Sequence, residues 1–206
     1  MRGKILIPLL LLIGTLLVVL FYGPIDQEVI RWSKAHQQPW LKPVSAFITD
    51  FGVATGWLVG SLGLWLYWRY KAKKEVWADR ARFFFISVAA TGLAVLPLKL
   101  LFGKARPKLL FREELYGFQW FSTPNAYTLQ SFPSGHTTTA FAVATALALL
   151  FPRFALLFYA GALLVGLSRI GVLAHYPSDV AAGAVLGTVL TLLLYNFDKI
   201  TFKQQK

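Results

Sequence analysis

Ser168-Arg169-Ile170-Gly171-Val172-Leu173-Ala174-His175-Tyr176-Pro177-Ser178-Asp179 sets an arginine, a histidine and an aspartate at the junction of two long apolar runs. A second junction, Phe132-Pro133-Ser134-Gly135-His136, opens another such run and carries a second of the chain's three histidines. Ionisable groups at such positions are expensive in lipid and are usually kept for chemistry. Everything therefore depends on whether the runs cross a membrane.

Composition says that they do. The 206 residues are 56% hydrophobic and 15% charged, where a soluble domain is about a quarter charged. Mean hydropathy is +0.56. Without cysteine there is neither a disulfide framework nor a thiolate metal site. The net charge of +12 lies in clusters between apolar runs rather than along one stripe. That pattern suits membrane topology and argues against a nucleic-acid groove.

Six stretches, 5–22, 45–68, 83–103, 135–152, 154–173 and 177–197, reach or approach the length of a membrane span, roughly 20 residues as helix. The first is longer than a signal-peptide core and is followed by no Ala-x-Ala-like site, so it reads as a retained span. With the N-terminus inside, the cytoplasmic side holds twelve cations and the opposite side nine, the bias of the positive-inside rule. Residues 1–206 thus read as one all-α, polytopic domain with six transmembrane helices in a cytoplasmic (inner) membrane. Both termini are then cytoplasmic. Between spans one and two, Ile25, Val29 and Trp32 share a helical face. This segment is either a short interfacial helix or a loop anchored by Trp32 and Trp40.

On this layout the ends of spans three and five and the starts of spans four and six meet at the outer face. Lys99 and Arg106, seven apart, fall on one face if the helix continues, although Gly103 and Pro107 loosen it. Lys99 alone is equally a snorkelling lysine. Ser134 suits an N-cap, and Gly135 allows close approach to the free N–H groups of a helix start, a natural anion site. Asp179, one turn beyond His175, is placed to fix the imidazole tautomer and favour the imidazolium. Three cations (Lys99, Arg106, Arg169), a helix N-terminus and two histidines call for a phosphate. Zinc suits the same spot poorly, because its ligands would sit among three cations.

Lys99-x6-Arg106-Pro107, Pro133-Ser134-Gly135-His136 and Ser168-Arg169-x5-His175-x3-Asp179 together resemble the three-part motif of the type 2 phosphatidic acid phosphatase (PAP2) superfamily. The motif core spans 99–179, and the six-span layout is similar to the membrane branch, with its PAP2/haloperoxidase-like helical core. The soluble branch shares the residues without such spans. The resemblance implies that His175 attacks phosphorus to form a phosphohistidine, that Asp179 orients it, and that His136 protonates the leaving oxygen and then activates water. Lys99, Arg106, Ser134, Gly135 and Arg169 would hold the phosphoryl oxygens. It implies neither metal nor cofactor, and a phosphorylated membrane lipid as partner; no obligate protein partner is evident in the sequence. Activity should then peak between two macroscopic pKa values.

The lipid stays open: undecaprenyl diphosphate, phosphatidylglycerol phosphate, phosphatidate and lipid A 1-phosphate are all substrates of the branch. Tyr116, Phe118, Trp120, Phe121 and Tyr127 either flank such a lipid or form an aromatic belt. Asp50 either pairs with a site cation or sits at the interface. A lipid phosphotransferase using the same phosphohistidine, and a non-catalytic lipid transporter or scramblase, are the alternatives.

Overall fold

Apolar chain in lipid can satisfy its own backbone only as helix or closed barrel, and here helix forms almost throughout. The computed structural model describes the backbone of residues 2–203 and the side chains of 5–197. The cations Arg2, Lys4, Lys199, Lys203 and Lys206, counted above for orientation, lie outside the described side chains. The helices are α1 (Arg2–Phe21), α2 (Pro24–Ala35), α3 (Leu41–Asp50), α4 (Ala54–Leu66), α5 (Glu75–Phe102), α6 (Pro107–Glu113), α7 (Gly135–Leu150), α8 (Ala155–Gly171) and α9 (Pro177–Lys203). A π-helical turn, Tyr67–Lys71, extends α4. Among the described residues there is no β-strand, only an isolated bridge between Lys104 and Phe118.

Four segments are long and apolar enough to span a bilayer: Leu41–Lys71, Glu75–Phe102, Pro152–Gly171 and Pro177–Phe197. A fifth forms if α1 and α2 count as one span, but they are bent by 66° at Gly23. α7 is apolar but has only 16 residues, about 24 Å of helix against a hydrocarbon core of about 30 Å. Leu156 at 86% exposure, with Leu16, Val59 and Leu93, belongs to a broad apolar exterior that lipid would cover. These helices are those of an integral membrane protein.

α7 is the axis of the bundle, packed against α5, α8 and α9. Its buried residues are almost all threonine and alanine, from Thr137 to Ala146. Small side chains let helix backbones approach closely where lipid supplies no hydrophobic drive. α9 matches this with Gly183 and Gly187. A Cβ at Gly183 would lie 2.6 Å from the Ser134 carbonyl oxygen, and one at Gly187 would collide with that of Thr138. This contact fixes the start of α7 against the start of α9. Larger side chains fill the far end, where Phe83, Phe84 and Val88 of α5 pack with Val143 and Ala146.

Candidate active site

Gly103, in the left-handed conformation at φ 55°, ends α5 four residues after Lys99. Arg106 therefore lies beyond the helix on extended backbone, ahead of Pro107 at the start of α6. The expected alignment along one helical face does not occur, yet the two cations still converge. Lys99 Nζ donates to the Gln130 carbonyl at 2.7 Å, and Arg106 Nη2 donates to the same oxygen at 3.1 Å. Arg106 also donates to the carbonyls of Tyr127 (3.0 Å) and Ala174 (3.2 Å), with its guanidinium 4.0 Å from the Tyr127 ring centroid. Burial lowers its pKa, but a guanidinium remains a cation. Its hold on Ala174 ties it to the loop that carries His175.

Ser134 is the N-cap of α7, as its position in the sequence suggests. Its Oγ accepts from the Thr137 hydroxyl at 2.9 Å and, more loosely, from the Thr137 N–H at 3.5 Å. The Ser134 N–H donates to the Asp179 carbonyl at 3.0 Å, joining the second motif to the third. His136 follows in the first turn, within electrostatic reach of Arg169, Arg106 and Lys99. The break between α3 and α4 packs onto it: a Cβ at Gly52 would stand 2.8 Å from His136 Cβ.

Arg169, near the end of α8, donates through Nη1 to Thr49 Oγ1 at 2.6 Å. Thr49, not its exposed neighbour Asp50, takes this cation. Arg169 Nε is buried and has no hydrogen-bond partner among the described residues.

His175 is only 2% exposed. Its Nδ1 lies 3.5 Å from Asp179 Oδ2 and 3.5 Å from Ser131 Oγ. The other ring nitrogen, Nε2, takes no part in these contacts. Burial pushes the pKa down from 6.5 to about 3, against the upward pull of Asp179. Asp179 was expected to favour the imidazolium, and it does pull that way, but loss of solvation outweighs it. The neutral ring is the form able to act as a nucleophile.

Asp179 is held from every side. Its Oδ2 accepts from the Tyr176 N–H at 2.9 Å and from the Ser131 hydroxyl, while its Oδ1 accepts from Lys104 Nζ at 2.9 Å. Lys104, Asp26, Ser131 and Thr49 were not singled out as site residues. All four are buried polar groups, and nothing in their local spacing marks them.

All eight residues read as a site, Lys99, Arg106, Ser134, Gly135, His136, Arg169, His175 and Asp179, thus gather at one end of the bundle. Three cations surround two histidines at a helix N-terminus, an arrangement suited to binding and transferring a phosphoryl group. The sequence model of the PAP2 superfamily matches residues 80–202. The chain belongs to that superfamily.

Particular relatives narrow the comparison. A lipid A 1-phosphatase of Rhizobium johnstonii is 43% identical over 111 residues, 54% of this chain and 45% of that protein. The chain spans about half the length of the Rhizobium lipid A 1-phosphatases it matches. Undecaprenyl-diphosphatase BcrC of Bacillus subtilis is 26% identical over 176 residues, 81% of this chain and 79% of BcrC. The fold is shared with the B. subtilis PAP2-type phosphatidylglycerolphosphate phosphatase, at TM-score 0.65 and 22% identity over 94% of this chain and 96% of that one. It is shared also with Aquifex aeolicus LpxE, at TM-score 0.62 and 22% identity over 85% of this chain and 97% of that one.

Proposed function

We propose that this protein is a membrane lipid phosphatase that removes a phosphate from a lipid phosphomonoester or diphosphate through a phosphohistidine on His175. The observation that carries this reading is the buried, neutral His175 backed by Asp179 and faced by Lys99, Arg106 and Arg169. His175 Nε2 attacks phosphorus in line with the leaving oxygen. Lys99, Arg106, the unpartnered Nε of Arg169 and the N-terminus of α7 hold the equatorial oxygens as charge develops. The Ser134 hydroxyl accepts from Thr137, so its own proton is left for a phosphoryl oxygen. His136 protonates the leaving oxygen, then deprotonates the water that cleaves the P–N bond and regenerates His175.

The substrate is a lipid whose tail remains in the bilayer. Names of relatives favour lipid A 1-phosphate and undecaprenyl diphosphate as the first candidates. Trp120 and Phe121, strongly exposed beside the site, suit the headgroup level. The chain crosses a bacterial cytoplasmic membrane six times, with α7 as a short fourth span, α2 lying in the interface, both termini cytoplasmic and the site outward.

The test is release of inorganic phosphate from a panel of detergent-solubilised lipid phosphates and diphosphates, with no acceptor lipid present. His175→Ala should lower the rate by about 10³-fold or more, as loss of a nucleophile does elsewhere. Undiminished release by that variant sinks the mechanism. Turnover only when an acceptor lipid is added would instead make the protein a phosphotransferase.

A further inference from the structure

Lys104 is fully buried, and so are both carboxylates that it joins. Its Nζ donates to Asp179 Oδ1 at 2.9 Å, to Asp26 Oδ2 at 2.8 Å and to Ser178 Oγ at 2.6 Å. Five aromatic rings, of Tyr22, Tyr116, Phe118, Phe132 and Tyr176, have centroids within 5.9 Å of this ammonium. Asp26 belongs to α2, well before the region 80–202 that matches the superfamily. It is as fully engaged as Lys104. Its Oδ1 accepts from the Ser178 N–H at 2.9 Å, and its Oδ2 accepts from Lys104, Tyr116 Oη (2.9 Å) and the Ser178 hydroxyl.

Two consequences follow from these contacts. Ser178 lies in the first turn of α9, so Asp26 caps that helix from a distant part of the chain, one residue before Asp179. The second is electrostatic. Lys104 bound directly to Asp179 would cancel the negative charge that Asp179 must present to His175. Asp26 supplies a second carboxylate, so the group of Asp26, Lys104 and Asp179 keeps one net negative charge beside the histidine. In a site from which water is excluded, that charge stabilises the positive charge His175 gains as it attacks.

Given the phosphatase reading, we propose that Asp26 and Lys104 are positioning residues that set the charge and orientation of Asp179, making α2 part of the reaction machinery. Asp26→Asn separates the charge from the cap, because the amide oxygen can still accept from Ser178 N–H. It should lower kcat roughly tenfold with KM within about twofold, a size in keeping with coupling inside one hydrogen-bonded network. The double variant Asp26→Asn/Lys104→Met again leaves one negative charge on Asp179, and should recover most of the lost kcat. A purely structural role predicts the reverse, with the double variant worse than the single one. Unchanged kcat in folded Asp26→Asn, or no recovery in the double variant, overturns the proposal.

Should neither variant accumulate as folded protein, Tyr116→Phe carries the test, because it deletes one hydroxyl from a half-buried ring. A kcat about threefold lower at unchanged KM, the size of one hydrogen bond, supports the proposal, and an unchanged kcat overturns it. Wild type and His175→Ala are assayed alongside. Inactive wild type refutes the phosphatase reading itself, whereas active wild type with fully active Asp26→Asn refutes only the role of α2.

Discussion

In the reading proposed here, His175 is a nucleophile kept neutral by burial. Its pKa is depressed from 6.5 to about 3, so the ring stays unprotonated until strongly acid pH. The unfolded chain takes up this proton near 6.5, so the unfolded state binds more protons between the two values. The contribution to stability is therefore full above 6.5 and is lost as pH falls toward 3. For activity, the limb set by His175 moves out to the acid extreme of the expected bell. From about pH 4 to about pH 9, log kcat/KM should show no rising limb from His175, only a fall as His136 loses the proton it must donate. A rate rising steadily across that range would reverse the assignment of the two histidines. Most of the candidate site residues were legible in the sequence, because arginine, histidine and aspartate stand out among apolar neighbours. Their supports were not, since Ser131, Thr49 and Asp26 look like ordinary polar residues near helix ends.

At the scale of the element, the start of α7 is where the three motifs meet, and α9 holds it in place. Gly183 and Gly187 lie one turn apart on α9 and press against the Ser134 and Thr138 carbonyls. Gly183→Ala puts a methyl 2.6 Å from a backbone oxygen, so the first turn of α7 must shift. The expected cost is about 1–3 kcal/mol of stability, typical of overpacking, together with a loss of kcat, because Ser134 and Gly135 move with the turn. Gly60→Ala is the control: a Cβ there meets nothing within 4 Å, and stability should stay within about 0.5 kcal/mol. Equal thermal stability of Gly183→Ala and wild type would show that the contact is looser than its geometry implies. The α5 end teaches the same lesson in reverse. The sequence marks a loosening at Gly103 and Pro107; Gly103 in fact ends the helix, and the Gln130 carbonyl brings the two cations together instead.

For the whole molecule, the arrangement of cations between apolar runs makes a prediction about sidedness. The chain contains no cysteine, so single cysteines can report topology without background. Trp120→Cys, beside the site, should react with a membrane-impermeant maleimide in intact cells or spheroplasts. Lys73→Cys, in the turn between α4 and α5, should react only after permeabilisation. The opposite labelling pattern would invert the molecule and put the site on the cytoplasmic face. Sidedness also bears on α2, which has to lie at the same face as the site for Asp26 to meet Lys104.

What the sequence by itself determined was the class of molecule: apolar helices too long and too weakly charged for a soluble core, with a candidate phosphate-binding set of residues at their junctions. Local spacing is enough for that, because hydropathy and helix starts are read within a single element. Only the tertiary structure decided how the site is held. Lys104 meets Asp26 across 78 residues of sequence, and Asp26 caps α9 across 152. Such pairs exist only once the helices pack. The physical reason is charge: a buried lysine is tolerable only where folding brings carboxylates to it. The same folding joins Asp26, Lys104 and Asp179, the group to which we assign one net negative charge beside His175.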